Sequence, residues 1–110
     1  MKIDGMFSGS EVVSVSPVYQ YVDGNRTDEQ KKNADGVLMW SVEIAVPSGA
    51  FVLPVRIKLA SKQAPTSAGQ VVRFSGVEAH AWKVGSIAFT ADAVEVVQDE
   101  LAAILGEGDK

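Results

Sequence analysis

Residues 38–59 read LMWSVEIAVPSGAFVLPVRIKL. Leu38, Trp40, Val42, Ile44 and Val46 occupy alternate positions, with Met39, Ser41, Glu43 and Ala45 between them. Side chains on a strand point to its two faces in turn, so this period of two predicts a half-buried strand. Pro47, Ser48 and Gly49 follow, and these residue types supply turn dihedrals and interrupt a ladder. Phe51, Leu53, Val55, Ile57 and Leu59 then alternate with Val52, Pro54, Arg56 and Lys58. Two alternating runs joined by a short turn predict a β-hairpin. Its apolar parity assigns Phe51 to the core. Pro54 has no N–H to donate, which predicts an edge or a bulge there.

Working outward, residues 11–21 are rich in Val, Ser and Tyr and predict one strand interrupted at Pro17. Residues 22–36 are polar. They predict either a mobile loop or a short helix over 27–33, because Thr27 followed by Gln30 resembles a capping box. Downstream, 61–69 is a Pro/Ser/Ala/Gly connector. Residues 70–75 form another strand, with Val72 and Phe74 on one face and Arg73 on the other, ending at Gly76. Residues 77–84 continue as β-structure to a turn at Gly85 and Ser86. The last strand, 87–97, slips in parity near Ala91, as a β-bulge does. Residues 99–105 predict one or two helical turns with Leu101, Ile104 and Leu105 on one face, stopped by Gly106.

The expected fold is therefore all-β. It is a small five-stranded barrel over residues 10–97, with a flexible stretch at 1–9 and an acidic, partly helical segment at 98–110.

Composition narrows the function. The chain has 110 residues, no cysteine and one histidine, His80. That excludes a disulfide scaffold, a cysteine-ligated zinc site and a histidine cluster for metal. No apolar run approaches the roughly 20 residues a spanning helix needs, and no apolar leader opens the sequence, which favours the cytoplasm and no membrane partner. There is no Walker loop, no Gly-x-Ser-x-Gly and no dinucleotide fingerprint. Asp28–Glu29 and Asp99–Glu100 are adjacent carboxylates in polar stretches rather than a pair facing a cleft. The expectation is a binding protein without cofactor or metal, not an enzyme.

The net charge of -4 seems to oppose nucleic acid, but it is unevenly spread. Residues 25–91 carry eight cations against five carboxylates, whereas 92–110 carry one against six.

Residues 69–97 read GQVVRFSGVEAHAWKVGSIAFTADAVEVV. Gly69, Val72, Phe74 and Gly76, then Ala91, Val94 and Glu95, resemble the last third of the OB-fold domain in single-stranded-DNA-binding proteins. The likeness is to a divergent type from plasmids, phages or other mobile elements. In layout it extends over about residues 10–97. The departures are a connector at 61–69 too short for the usual helix, and the lack of both the usual Asn-Arg opening and the Gly/Pro-rich tail. The resemblance implies an OB-like barrel that binds single-stranded DNA during DNA replication and assembles as a homo-oligomer.

Such binding requires cations along the phosphates and aromatic faces under the bases. Arg56 and Lys58 alternate onto one strand face, Arg73 takes the outward parity of the next strand, and Arg26, Lys31, Lys32 and Lys83 form a rim. The alternative is that Arg56, Lys58 and Arg73 are the solvated face of a sheet. Trp82, beside Lys83 near a hairpin tip, is a stacking candidate. Tyr19 and Tyr21 share a strand face and divide between stacking and barrel-end packing. Trp40 is either core or a helper platform. Stacking and phosphate contacts serve RNA as well as DNA. The acidic end is either a solvated segment or a docking site for a protein. A protein–protein assembly module of a phage or mobile element is the competing expectation.

Overall fold

The computed structural model describes residues 2–3, 7, 9–83 and 85–99, and at 82, 83, 86, 98 and 99 the backbone only. The described residues form strands and turns, with no helix among them. Nine strands follow in order: β1 (Ser10–Pro17), β2 (Tyr19–Val22), β3 (Asn25–Gln30), β4 (Met39–Ser48), β5 (Phe51–Ala60), β6 (Gln70–Ser75), β7 (Glu78–Lys83), β8 (Ser86–Thr90) and β9 (Ala93–Asp99). Seven make one sheet in the order β7-β8-β5-β4-β1-β6-β9, and β2 and β3 make a separate hairpin. The fold is all-β, as expected, but the five strands read from sequence become nine. The expected C-terminal helix lies outside the described residues.

The large sheet curls into a half-barrel, and the join between β8 and β9 explains why. These strands sit on opposite halves of the sheet, yet only Ala91 and Asp92 separate them. The Ala91 N–H donates to the Lys58 carbonyl on β5, and the Asp92 N–H donates to the Ser75 carbonyl on β6. Two successive residues thus tie both flanks together. The parity slip read near Ala91 is this break in the strand. Gly76 turns the chain out of β6 with φ 64°, and a Cβ there would overlap the Asp92 carboxylate. Lys2 donates to the same carboxylate (3.0 Å), and Ile3 bridges Val77 in antiparallel fashion.

The β4–β5 hairpin is an unbroken ladder of ten pairs, from Met39↔Ala60 to Ser48↔Phe51. The turn is Gly49-Ala50, with Gly49 at φ 61°. Val42, Ile44, Ile57 and Leu59 from this hairpin meet Val12, Val72, Phe74 and Val77 in the buried core. Phe89 joins at the margin and meets Phe7 edge to face. The expectation for Phe51 is corrected: it is 73% exposed, because the hairpin outruns the barrel wall and its outer third has no sheet opposite it. Pro54 pairs with Ala45 in regular register, so it marks a free edge rather than a bulge.

The polar stretch 22–36 holds no helix and is not one long loop: most of it is a hairpin, followed by a short turn. Tyr21-Val22 turns through Asp23 (φ 53°) and Gly24 (φ 81°) into Asn25-Arg26, giving the β2–β3 hairpin. Two positive φ values at the centre of a two-residue loop are those of a type I′ turn, which suits Asp-Gly. Asn33 closes the following loop, its Oδ1 accepting from the Asp35 and Val37 N–H groups.

Candidate functional site

Strand parity sets the first part of the site. On β4 and β5 the residues between the core positions face outward. Ser41 pairs with Lys58 and Glu43 pairs with Arg56. β1 adds Ser16 opposite Ser41 and Ser14 opposite Glu43. Two cations therefore stand on a mainly hydroxyl-bearing sheet face. Arg56 donates Nε–H to Glu43 (3.1 Å), so part of its charge is already neutralised. Among the described residues no carboxylate pairs with Lys58.

The β2–β3 hairpin supplies the second part. Its base is tied by three backbone bonds: the Lys31 N–H donates to the Val18 carbonyl (2.6 Å), the Val18 N–H to Met39, and the Met39 N–H to Lys31. The Gln30 side-chain amide also donates to the Met39 carbonyl (2.7 Å). These bonds fix where Lys31 and Lys32 emerge. Within the hairpin the register shifts between Tyr19 and Tyr21, and Thr27 fills the gap by donating its hydroxyl to the Gln20 carbonyl.

Two adjoining open grooves lie where hairpin and sheet meet. One, of about 490 Å³, is bordered by Tyr19, Tyr21, Lys31, Lys32 and Lys58. The other, of about 270 Å³, shares Tyr19, Tyr21 and Lys58 and adds Ser16, Arg26, Ser41 and Arg56. The Arg26 guanidinium lies 5.1 Å from the Tyr19 ring centroid, a cation–π contact that occupies that ring. Tyr21 is 68% exposed, which leaves it the more open face for stacking. The site thus combines five cations with two aromatic rings, and Glu43, opposite Arg56 on the sheet face, is paired with it.

The structure brings Arg56, Lys58, Lys31, Lys32 and Tyr21 together from segments up to 37 residues apart. It does not bring Arg73 to them. Arg73 sits on β6, beyond β1 and β4, opposite Glu95 of β9. Trp40 does not border either groove. It is half-buried, and its indole N–H donates to the Ser61 carbonyl (2.9 Å), anchoring the start of the connector. Trp82 and Lys83 lie on β7, with Lys83 pairing Ser86 in the backbone ladder, and their side chains lie outside the description. The sequence reading gave Arg26 as a rim cation and divided Tyr19 between stacking and barrel-end packing, but did not bring the two together, because it did not recognise the hairpin that joins them. The Asp23-Gly24 pair was the available signal.

Among the described residues no group of His, Asp and Glu is arranged to hold a metal, and no helix is long and apolar enough to cross a membrane. The chain matches no protein-family model, and neither characterised proteins nor solved structures include one significantly similar to it.

Proposed function

We propose that the protein binds single-stranded DNA, without catalysis and without sequence preference. The observation that carries this reading is the pair of grooves around Tyr19 and Tyr21, edged by Arg26, Lys31, Lys32, Arg56 and Lys58. Cations spaced along an open groove neutralise successive phosphates, while a tyrosine face accepts any base. The grooves are open rather than enclosed, which suits a chain that enters and leaves sideways. Either sugar fits this chemistry, and DNA is chosen for the resemblance of residues 69–97 to single-stranded-DNA-binding proteins.

The strand pairing supports the finer fold reading. If β6 and β7 count as one strand kinked at Gly76 and Val77, and β8 and β9 as one kinked at Ala91 and Asp92, the sheet reduces to five strands. β1 pairs with β4 and β6, β4 with β5, β5 in parallel with β8, and β6 with β9. One parallel pair closing an otherwise antiparallel barrel is the OB arrangement. A cytoplasmic location and a part in DNA replication or transfer, on a mobile element, go with this reading.

The test is fluorescence titration of a labelled oligo-dT across a salt series, with duplex of the same length as comparison. Saturable binding that weakens as salt rises, with duplex bound less well, is the expected result. Binding indifferent to salt, or none at tens of micromolar protein, would overturn the proposal.

A further inference from the structure

Arg26 stands apart from the other cations of the grooves. It lies opposite Tyr21 in the β2–β3 ladder. Side chains of directly opposed residues share a face, so these two stand side by side on the hairpin. The Arg26 guanidinium sits over the Tyr19 ring, 5.1 Å from its centroid, and no other groove cation has a ring beneath it among the described residues. Nor does any carboxylate among those residues pair with Arg26. Tyr19 borders both grooves, whereas Arg26 borders only the smaller one, with Ser16, Ser41, Arg56 and Lys58. From the smaller groove, therefore, the Tyr19 ring is covered and the guanidinium is what a ligand meets.

A guanidinium is planar, delocalised and weakly hydrated, and both of its faces can stack. Nucleobases stack on arginine planes as they do on aromatic rings. An arginine free in solvent loses rotamer freedom when it orders against a ligand. Here the ring beneath it holds the plane beforehand, which lowers that cost.

We infer that Arg26 is a base platform rather than a phosphate contact: a nucleobase in the smaller groove stacks on its guanidinium, with Tyr19 as the backing. The open Tyr21 ring beside it takes a neighbouring base, and Lys31, Lys32, Arg56 and Lys58 are left to the phosphates. This inference rests on the proposed binding of single strands and assigns which of the five cations meets a base. A phosphate contact needs only a charge, whereas a stack needs a plane. Arg26→Lys separates the two, because it keeps the charge and removes the plane.

The test is titration of a labelled oligo-dT with the full chain, wild type against Arg26→Lys, across a salt series. Arg26→Lys should weaken binding about fivefold or more, the lower bound for losing one stack, with the slope of log affinity against log salt unchanged. An abasic oligomer of the same length offers phosphates and no bases, so wild type and Arg26→Lys should bind it alike. Tyr19→Ala should also lose affinity for oligo-dT, and Tyr19→Phe, which keeps the ring, should recover most of it. Adding Arg26→Lys to Tyr19→Ala should cost less than Arg26→Lys alone, because the platform has already lost its backing.

A wild type that binds no oligo-dT overturns the proposed function and this inference with it. A wild type that binds, with Arg26→Lys equal to it, overturns the inference alone and makes Arg26 a phosphate contact. A loss in Arg26→Lys that persists undiminished on the abasic oligomer does the same. Faster amide exchange at Lys31 in Arg26→Lys also overturns it, since Arg26 would then act by holding the hairpin together.

Discussion

Lys58 is the one residue common to both grooves that carries a charge, and no carboxylate among the described residues offsets it. Replacing it with alanine should weaken oligo-dT binding and flatten the slope of log affinity against log salt by about 0.7, the loss of one phosphate contact on a single strand. Tyr21→Ala should cost about 1–3 kcal/mol of binding at any salt concentration, with Tyr21→Phe retaining most of the affinity because the ring does the stacking. Glu43 gives the opposite sign. It accepts from Arg56 and brings a negative charge to the rim, so Glu43→Gln should tighten binding and steepen the salt dependence. If all three substitutions leave the isotherm unchanged, Arg56 and Lys58 are the solvated sheet face that alternation alone would produce.

At the scale of elements, the β2–β3 hairpin decides whether a groove exists. Its turn needs a residue at φ 81°, where a side chain costs about 1–2 kcal/mol. Gly24→Val should therefore loosen the hairpin while the seven-stranded sheet stays intact. Amide hydrogen exchange should show faster exchange at Lys31, whose N–H bonds Val18, and unchanged protection at Val42 and Ile57. Binding to oligo-dT should fall in parallel. The sequence reading went astray on this element for a physical reason. Asn25 to Gln30 carries Arg, Thr, Asp and Glu with no apolar alternation, since the strand packs on no core. What holds it is backbone bonding and the Thr27 and Gln30 side chains, which leave no periodic trace.

For the whole molecule, stability rests on one core and one closure. Phe74 is fully buried at the centre of the core, and Phe74→Ala should lower unfolding free energy by about 3–5 kcal/mol, read from the urea midpoint. Gly76→Ala should also destabilise strongly, by displacing Asp92 and with it the join between β8 and β9. The hydrogen bond and charge of Asp92 hold the Lys2 ammonium above the ordinary lysine range. A raised amine contributes below its unfolded pKa and is lost as pH climbs through the folded one. On the alkaline side this clasp therefore persists through neutral pH and is lost in strong alkali.

Alternation at 38–59 and 70–75 was enough to determine the hairpin and most of the core, because a two-faced sheet imprints its period on the chain. It did not determine the register: the turn expected at Pro47-Ser48-Gly49 falls at Gly49-Ala50, and Pro47 and Ser48 pair with Val52 and Phe51. It could not show where the barrel wall ends, so Phe51, Leu53 and Ile87 share the core parity yet face solvent. Nor could it distribute the cations. Arg56, Lys58 and Arg73 have the same outward parity, but the order of strands in the sheet places two strands between Arg73 and the others. Which residues share a face across strands depends on pairing between distant segments. Here that pairing is decided by Ala91 and Asp92 bonding to opposite flanks of the sheet, and by Val18, Lys31 and Met39 closing the base of the hairpin.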